Sequence, residues 1–273
     1  MAKFYDTHAH LDYPDFQADF ESVMDRAQAA GIARVVCIGT DLDSSEAAIR
    51  LAERYAPLYA AVGWHPCNAL KAPHDLTGPL RQLVKHPKVV AVGETGFDYH
   101  HLPSKQAGAA PEAAMGDDAR YRERQREIFL QQLEVAADFG LNCVIHQRDA
   151  LEDTLEVMRS YAGKTRGVFH CFANDAAAMR RIVSMGSLVS FTGIATFKNA
   201  QSVRDTLAAT PMDAFMLETD CPYLAPAPYR GKRCEPSYVK EISEVAAAVK
   251  GCGLDDLSTA TCRTAHEFFK KLQ

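Results

Sequence analysis

The sequence predicts an α/β protein: a single-domain (β/α)8 barrel over residues 1–273. Three observations predict it. Short apolar runs alternate with longer amphipathic segments along the chain. Eight such runs can be read. The length of 273 residues suits a fold that commonly takes about 250 as one unit. Strands alternating with helices imply parallel pairing through right-handed crossovers. An open doubly wound sheet is the structural rival.

The strand candidates are Lys3–Asp6, Arg34–Gly39, Leu58–Gly63, Lys88–Gly93, Leu141–His146, Gly167–His170, Ser187–Phe191 and Ala214–Glu218. They are short and rich in Val, Ile and Phe, as strands buried on both faces are. The clearest helix runs over Arg120–Phe139. Phe129, Leu133, Ala136 and Ala137 recur there at helical spacing, and Gly140 follows as a C-terminal cap. Asp43 with Glu46 reads as an N-terminal cap before Ala47–Tyr55. The stretch 101–118, HLPSKQAGAAPEAAMGDD, breaks the rhythm and reads as an inserted surface loop. A lid over the catalytic rim is its functional alternative.

Composition narrows the class. Hydrophobic residues at 47% and charged residues at 24% exclude a disordered or fibrous chain. A formal charge of -5 excludes coating nucleic acid by bulk charge. No secretory leader or membrane-length apolar segment can be read. The 8 cysteines are scattered, with no C-x-x-C pair, which suits reduced thiols in a cytoplasm.

Chemistry-bearing residues gather at predicted strand ends. Asp6, His8 and His10 share one face as the first strand ends, where two imidazoles can bind one metal ion. Val90, Val92 and Glu94 share parity, so an inward apolar strand ends on a carboxylate that must be protonated, paired or bound to a cation. His146 closes NCVIH and His170 closes GVFH. Met216, Glu218 and Asp220 share parity before Pro222 stops the last strand. Four histidines and two carboxylates at the ends of strands one, four, five, six and eight would share the rim where barrel active sites lie. They are enough for two metal ions, with Glu94 as the natural bridge.

These motifs resemble the TatD family of metal-dependent hydrolases, within the amidohydrolase-like barrels. The matching stretches are DTHAHLD, GWHP, GETGFDY, the helix from Gln125 to Leu133, VIHQRDA, FHCF, and LETDCPYLAP followed by YRGKRCEP. They span nearly the whole chain. The resemblance implies metal ligands at His8, His10, Glu94, His146, His170 and Asp220. One ion takes His8, His10, Glu94 and Asp220; the other takes Glu94, His146 and His170. It further implies a nuclease dependent on two divalent ions, Mg²⁺ or Mn²⁺ with Zn²⁺ as an alternative. The implied reaction is 3′-to-5′ removal of nucleotides from single-stranded DNA or RNA.

Two positions depart from the family pattern. Gln147 stands where Ser or Thr is frequent, and Ala173-Asn174 where Ser-Gly is frequent. Within this reading Asp220 and Glu94 are the catalytic carboxylates. Arg148, Arg230 and Lys232, with Arg233 and Lys198, are candidate phosphate contacts. His65 is a candidate substrate contact, and Trp64 and Tyr223 are candidate stacking surfaces. A monomer or weak oligomer is expected. The competing readings are a barrel hydrolase of a non-nucleic ester, lactone or amide, and a binding protein with structural metals. An open site mixing His and carboxylates argues against the last.

Overall fold

The structure is a computed structural model that describes residues 2–105 and 111–272. Eight strands form one parallel sheet in sequential order: β1 Phe4–Ala9, β2 Ile32–Ile38, β3 Leu58–Val62, β4 Val89–Asp98, β5 Asn142–Arg148, β6 Gly167–Phe169, β7 Leu188–Phe191 and β8 Phe215–Leu217. All eight expected strands are present. The ring closes just beyond β8, where Ala9 forms a parallel bridge to Cys221. The backbone amide of His10 donates to the Cys221 carbonyl at 2.8 Å, and that of Asp220 donates to the His8 carbonyl at 2.9 Å. The fold is therefore a barrel rather than an open sheet.

Alternation along the strands divides the core in two. Val36 and Ile38 of β2, Tyr59 and Ala61 of β3, Val144, Val168, Leu188 and Met216 pack inside the barrel. Val35, Cys37, Ala60, Val62, Cys143, Ile145, Phe169 and Phe191 face the helices. Phe268, Phe269 and Leu272 belong to the inner cluster. The Asn142 side chain, at the start of β5, donates to the Phe268 carbonyl at 2.7 Å. The C-terminal segment thus plugs the end opposite the histidines.

Two local expectations change. The helix Leu42–Arg54 is capped by Asp41, not Asp43: Asp41 accepts the Ser44 amide at 2.8 Å and Ser44 Oγ accepts the Asp41 amide at 2.9 Å. Ser can answer the N-cap residue as Glu would, so the cap lies two residues earlier. The loop reading of 101–118 holds only in part. A short 3₁₀ turn occupies Pro103–Lys105, residues 106–110 lie outside the described residues, and a helix runs from Pro111 to Asp138. An Ala-rich segment without an apolar stripe propagates a helix already nucleated by the packed turns after it. Gly140 caps that helix as expected, with a φ of 65° and the Leu141 amide reaching back to the Ala136 carbonyl at 2.9 Å.

β4 is longer than its apolar run and does not alternate regularly. Its pairing with β3 shifts between Val89 and Ala91, and its pairing with β5 shifts between Val92 and Thr95. Val90 packs inside but Val92 packs with the helices. Glu94 therefore faces inward through a bulge, not through shared parity with Val92. Gly96 is required at the crowded side of this strand. Its φ is 136°, and a Cβ there would stand 2.1 Å from the His146 carbonyl oxygen. Gly96→Ala should cost about 2–5 kcal/mol, combining backbone strain and overpacking. Urea denaturation measures it, and a cost below 1 kcal/mol would show that the strands separate easily there.

Candidate active site

The strand ends bring six side chains from distant segments into one cluster. His8 Nε2 lies 3.3 Å from His10 Nε2, 3.4 Å from Glu94 Oε2 and 3.6 Å from Asp220 Oδ1. His10 Nε2 lies 3.7 Å from Glu94 Oε2 and 3.6 Å from Asp220 Oδ1. A tetrahedron with metal–ligand arms of about 2.1 Å has edges of about 3.4 Å, close to this spacing. The other carboxylate oxygen faces a second group. Glu94 Oε1 lies 2.7 Å from His170 Nε2 and 2.8 Å from His146 Nδ1, and those two nitrogens are 3.2 Å apart.

Outer contacts set the tautomers of His10 and His146 so that a lone pair of each points into the cluster. His10 Nδ1 donates to the Ile38 carbonyl at 3.1 Å, which leaves Nε2 free to ligate. His146 Nε2 donates to Asp98 Oδ2 at 3.0 Å, which leaves Nδ1 free. Asp98 in turn accepts the amides of His100 and His101 on Oδ1, both at 2.9 Å. Glu218 Oε1 lies 3.7 Å from His170 Nδ1 and is held by the Cys171 amide at 2.7 Å. Below the site, buried Asp6 accepts the Thr219 amide and hydroxyl at 2.9 and 2.6 Å and so fixes the turn into Asp220. Asp220 holds a left-handed φ of 57°.

The electrostatics of the cluster are those of a cation site. Burial pushes the Glu94 carboxyl up, but His170, His65 and His8 around it outweigh burial and hold it well below the usual carboxylate range. Burial also opposes ionisation of Asp220, and the His10 and His8 contacts reverse it. For His170, burial opposes protonation while Glu94 and Glu218 favour it, and the net is well upward. Nitrogen lone pairs within 3 Å of a carboxylate oxygen repel unless protons or cations lie between them. The donor set, the spacing and the tautomers all fit divalent ions.

His65 differs from the other clustered histidines. Its Nε2 lies 3.3 Å from Glu94 Oε1 and 3.2 Å from His146 Nδ1. Its Nδ1, however, accepts the Cys67 amide at 3.1 Å. Burial first, and then neighbouring imidazoles, keep this ring below the ordinary histidine pKa. A neutral ring whose Nδ1 accepts must carry its proton on Nε2, so His65 is a donor aimed at the cluster.

The cluster opens into a pocket of about 910 Å³. This is large for a small-molecule site, where about 300–1,000 Å³ is usual. Arg148 is the one lysine or arginine lining it among the described residues. Arg230, Lys232, Arg233 and Lys198 are not brought to it. Arg230 stacks on Phe197 at 3.7 Å, Lys232 lies 5.9 Å from the Tyr229 ring, and Arg233 pairs with Asp19 at 2.7 Å. Trp64 is likewise outside the lining and donates to the Asn68 carbonyl at 2.9 Å. Tyr223 does line it, 55% exposed and edge-on to Tyr13, which stacks on His10 at 4.9 Å. Gln147 and Ala173-Asn174 also line the wall.

A family model described as "TatD related DNase" matches residues 5–270. This chain belongs to the TatD family. The uncharacterized metal-dependent hydrolase YabD of Bacillus subtilis is 35% identical over 97% of this chain and 98% of its own. A metal-dependent hydrolase of the same family from Mycobacterium tuberculosis is 37% identical, covering 85% of this chain and 84% of its own. The crystal structure of the TatD homologue YjjV from Escherichia coli superposes with a TM-score of 0.86 at 28% identity, over 98% of each chain. The chain is thus a TatD-family metal-dependent hydrolase on a (β/α)8 barrel. No helix among the described residues is long and apolar enough to cross a membrane.

The sequence pattern did not mark three participants in this TatD site. Asp98 shares parity with Glu94 and Gly96, and that alternation was the signal available. Glu218 carried the same signal beside Asp220. Tyr13 had none, because its place under His10 depends on the turn that follows β1.

Proposed function

We propose that this TatD protein is a phosphodiesterase using two divalent ions, Mg²⁺ or Mn²⁺ with Zn²⁺ as the alternative. Its substrate is single-stranded DNA or RNA, digested from the 3′ end. The observation that carries the reading is Glu94, whose two carboxylate oxygens each face a separate histidine group. Glu94 would help hold both ions, with His8, His10 and Asp220 holding one and His146 and His170 the other. Two such ions, when bound, polarise a phosphoryl oxygen and ease ionisation of water near neutral pH.

The chain's own groups do the rest. Asp220 is only 15% exposed and takes the proton of the attacking water as general base. His65 donates from Nε2 to an equatorial phosphoryl oxygen. Arg148 holds a neighbouring phosphate with its planar fork of donors. Tyr223 offers a face on which a base stacks. The eight free thiols suit a reducing cytoplasm.

A labelled single-stranded oligonucleotide, assayed beside ester and lactone substrates, tests the reading. Cleavage should disappear in EDTA and return with Mg²⁺ or Mn²⁺. Turnover of lactone or ester alone would overturn the nuclease assignment, and full activity in chelator would overturn the mechanism. Within the same assay, Arg148→Ala should raise KM about tenfold, the loss of one charged hydrogen bond. It should also flatten the salt dependence of binding by about one unit of slope. Lys232→Ala should leave that slope unchanged, since its ammonium stands by Tyr229. The reverse result would move the phosphate track to the Arg230–Arg233 turn.

A further inference from the structure

Beside the two-ion cluster lies a second group of metal-type donors, Cys67, Asp98 and His101, of which the site described above uses only Asp98, to orient His146. Asp98 Oδ2 lies 2.9 Å from His101 Nδ1 and 3.4 Å from Cys67 Sγ, and those two are 3.7 Å apart. The same oxygen accepts His146 Nε2 at 3.0 Å. Three donors therefore converge on one oxygen, which has about two lone-pair directions. A single cation in place of the Cys67 and His101 protons relieves that crowding and leaves the His146 hydrogen bond in place.

The surroundings are built rather than fluid. Asp98 is 1% exposed, its Oδ1 takes two backbone amides, and its own amide donates to Gln125 Oε1 at 3.0 Å. The Cys67 carbonyl accepts the Tyr121 hydroxyl at 3.0 Å, and its amide is fixed on His65. His101 is half exposed and lines the pocket mouth. The two sulfur distances of 3.4 and 3.7 Å are close to the edges of a tetrahedron with one sulfur, one nitrogen and one oxygen arm, and the 2.9 Å His101–Asp98 hydrogen bond needs to open by about 0.5 Å when an ion replaces its proton.

The geometry points to a third cation site at the pocket lip, formed by Cys67, Asp98 and His101. A thiolate among the donors selects zinc-class ions over Mg²⁺ or Mn²⁺. Three protein ligands leave a fourth position open toward the pocket, as in exchangeable rather than closed sites. Through Asp98 the third ion is coupled to His146. The site is thus separate in chemistry from the two-ion cluster, whose proposed ligands include no sulfur.

Cobalt is the probe. Metal-free protein titrated with Co²⁺ should develop a thiolate-to-cobalt charge-transfer band in the near ultraviolet and bind three ions per chain. Cys67→Ser should abolish the band and leave two ions bound. His101→Ala, at a half-exposed side chain, should weaken the band's apparent affinity about 10–100-fold without unfolding the chain. Absence of a band at saturating Co²⁺ would overturn the proposal. So would a band that survives Cys67→Ser, which would assign the sulfur to another cysteine such as Cys171 in the pocket wall. The readout needs no turnover, so its failure is distinct from failure of the nuclease reading.

Discussion

Asp220→Asn should lower turnover about 10³-fold, within the range for loss of a positioned proton acceptor. The fold should survive. Asn occupies a left-handed φ as readily as Asp, so the backbone at 57° is not disturbed. The Asp220 amide keeps its bond to the His8 carbonyl. What changes is one oxygen beside His8 and His10: an amide cannot take a proton from water and is a poorer ligand. Single-turnover kinetics beside thermal unfolding separates the two effects. A variant that unfolds at the native temperature and turns over at the native rate would remove Asp220 from the chemistry.

Glu94→Gln should have the second large effect, this time on metal content. Each native oxygen serves its own histidine group. Gln keeps one oxygen and presents an NH₂ to the other group, whose nitrogens then meet a donor instead of a ligand. Loss of the shared negative charge would also leave Asp220 as the one carboxylate of the six to offset two cations. Elemental analysis should find both ions lost after dialysis and hydrolysis at background. Two ions still bound per chain would mean that Glu94 does not bridge.

Most of the architecture could be read from the chain because buried parallel strands have a distinctive chemistry. All eight apolar runs become strands, and five of them lead into the clustered His, Glu and Asp side chains. Register was harder. The bulges in β4 turn Val92 outward and Glu94 inward, and alternation alone has no means of signalling an added residue. The segment 101–118 misled through its Pro and Gly, although from Pro111 onward it belongs to the helix that ends at Asp138. The RGKR turn misled for a different reason. Local sequence does not say where a turn lies in space, and Arg233 spends its charge on Asp19, remote in sequence. Asp98 ends β4 and His101 follows it locally, but Cys67 comes from the segment after β3, so the meeting of the three depends on tertiary packing.

The seam between Ala9 and Cys221 has a consequence for synthesis. His8 and His10 are made first, but their partner Asp220 is among the last of the six to leave the ribosome, and its segment docks on β1 through two backbone hydrogen bonds. A nascent chain that has not yet produced the eighth strand lacks one wall of the His8–His10 group. Tight cation loading must wait for ring closure, a contact between distant parts of the chain and so a slow one. The proposed two-ion centre would therefore be complete only after the eighth strand has joined the first.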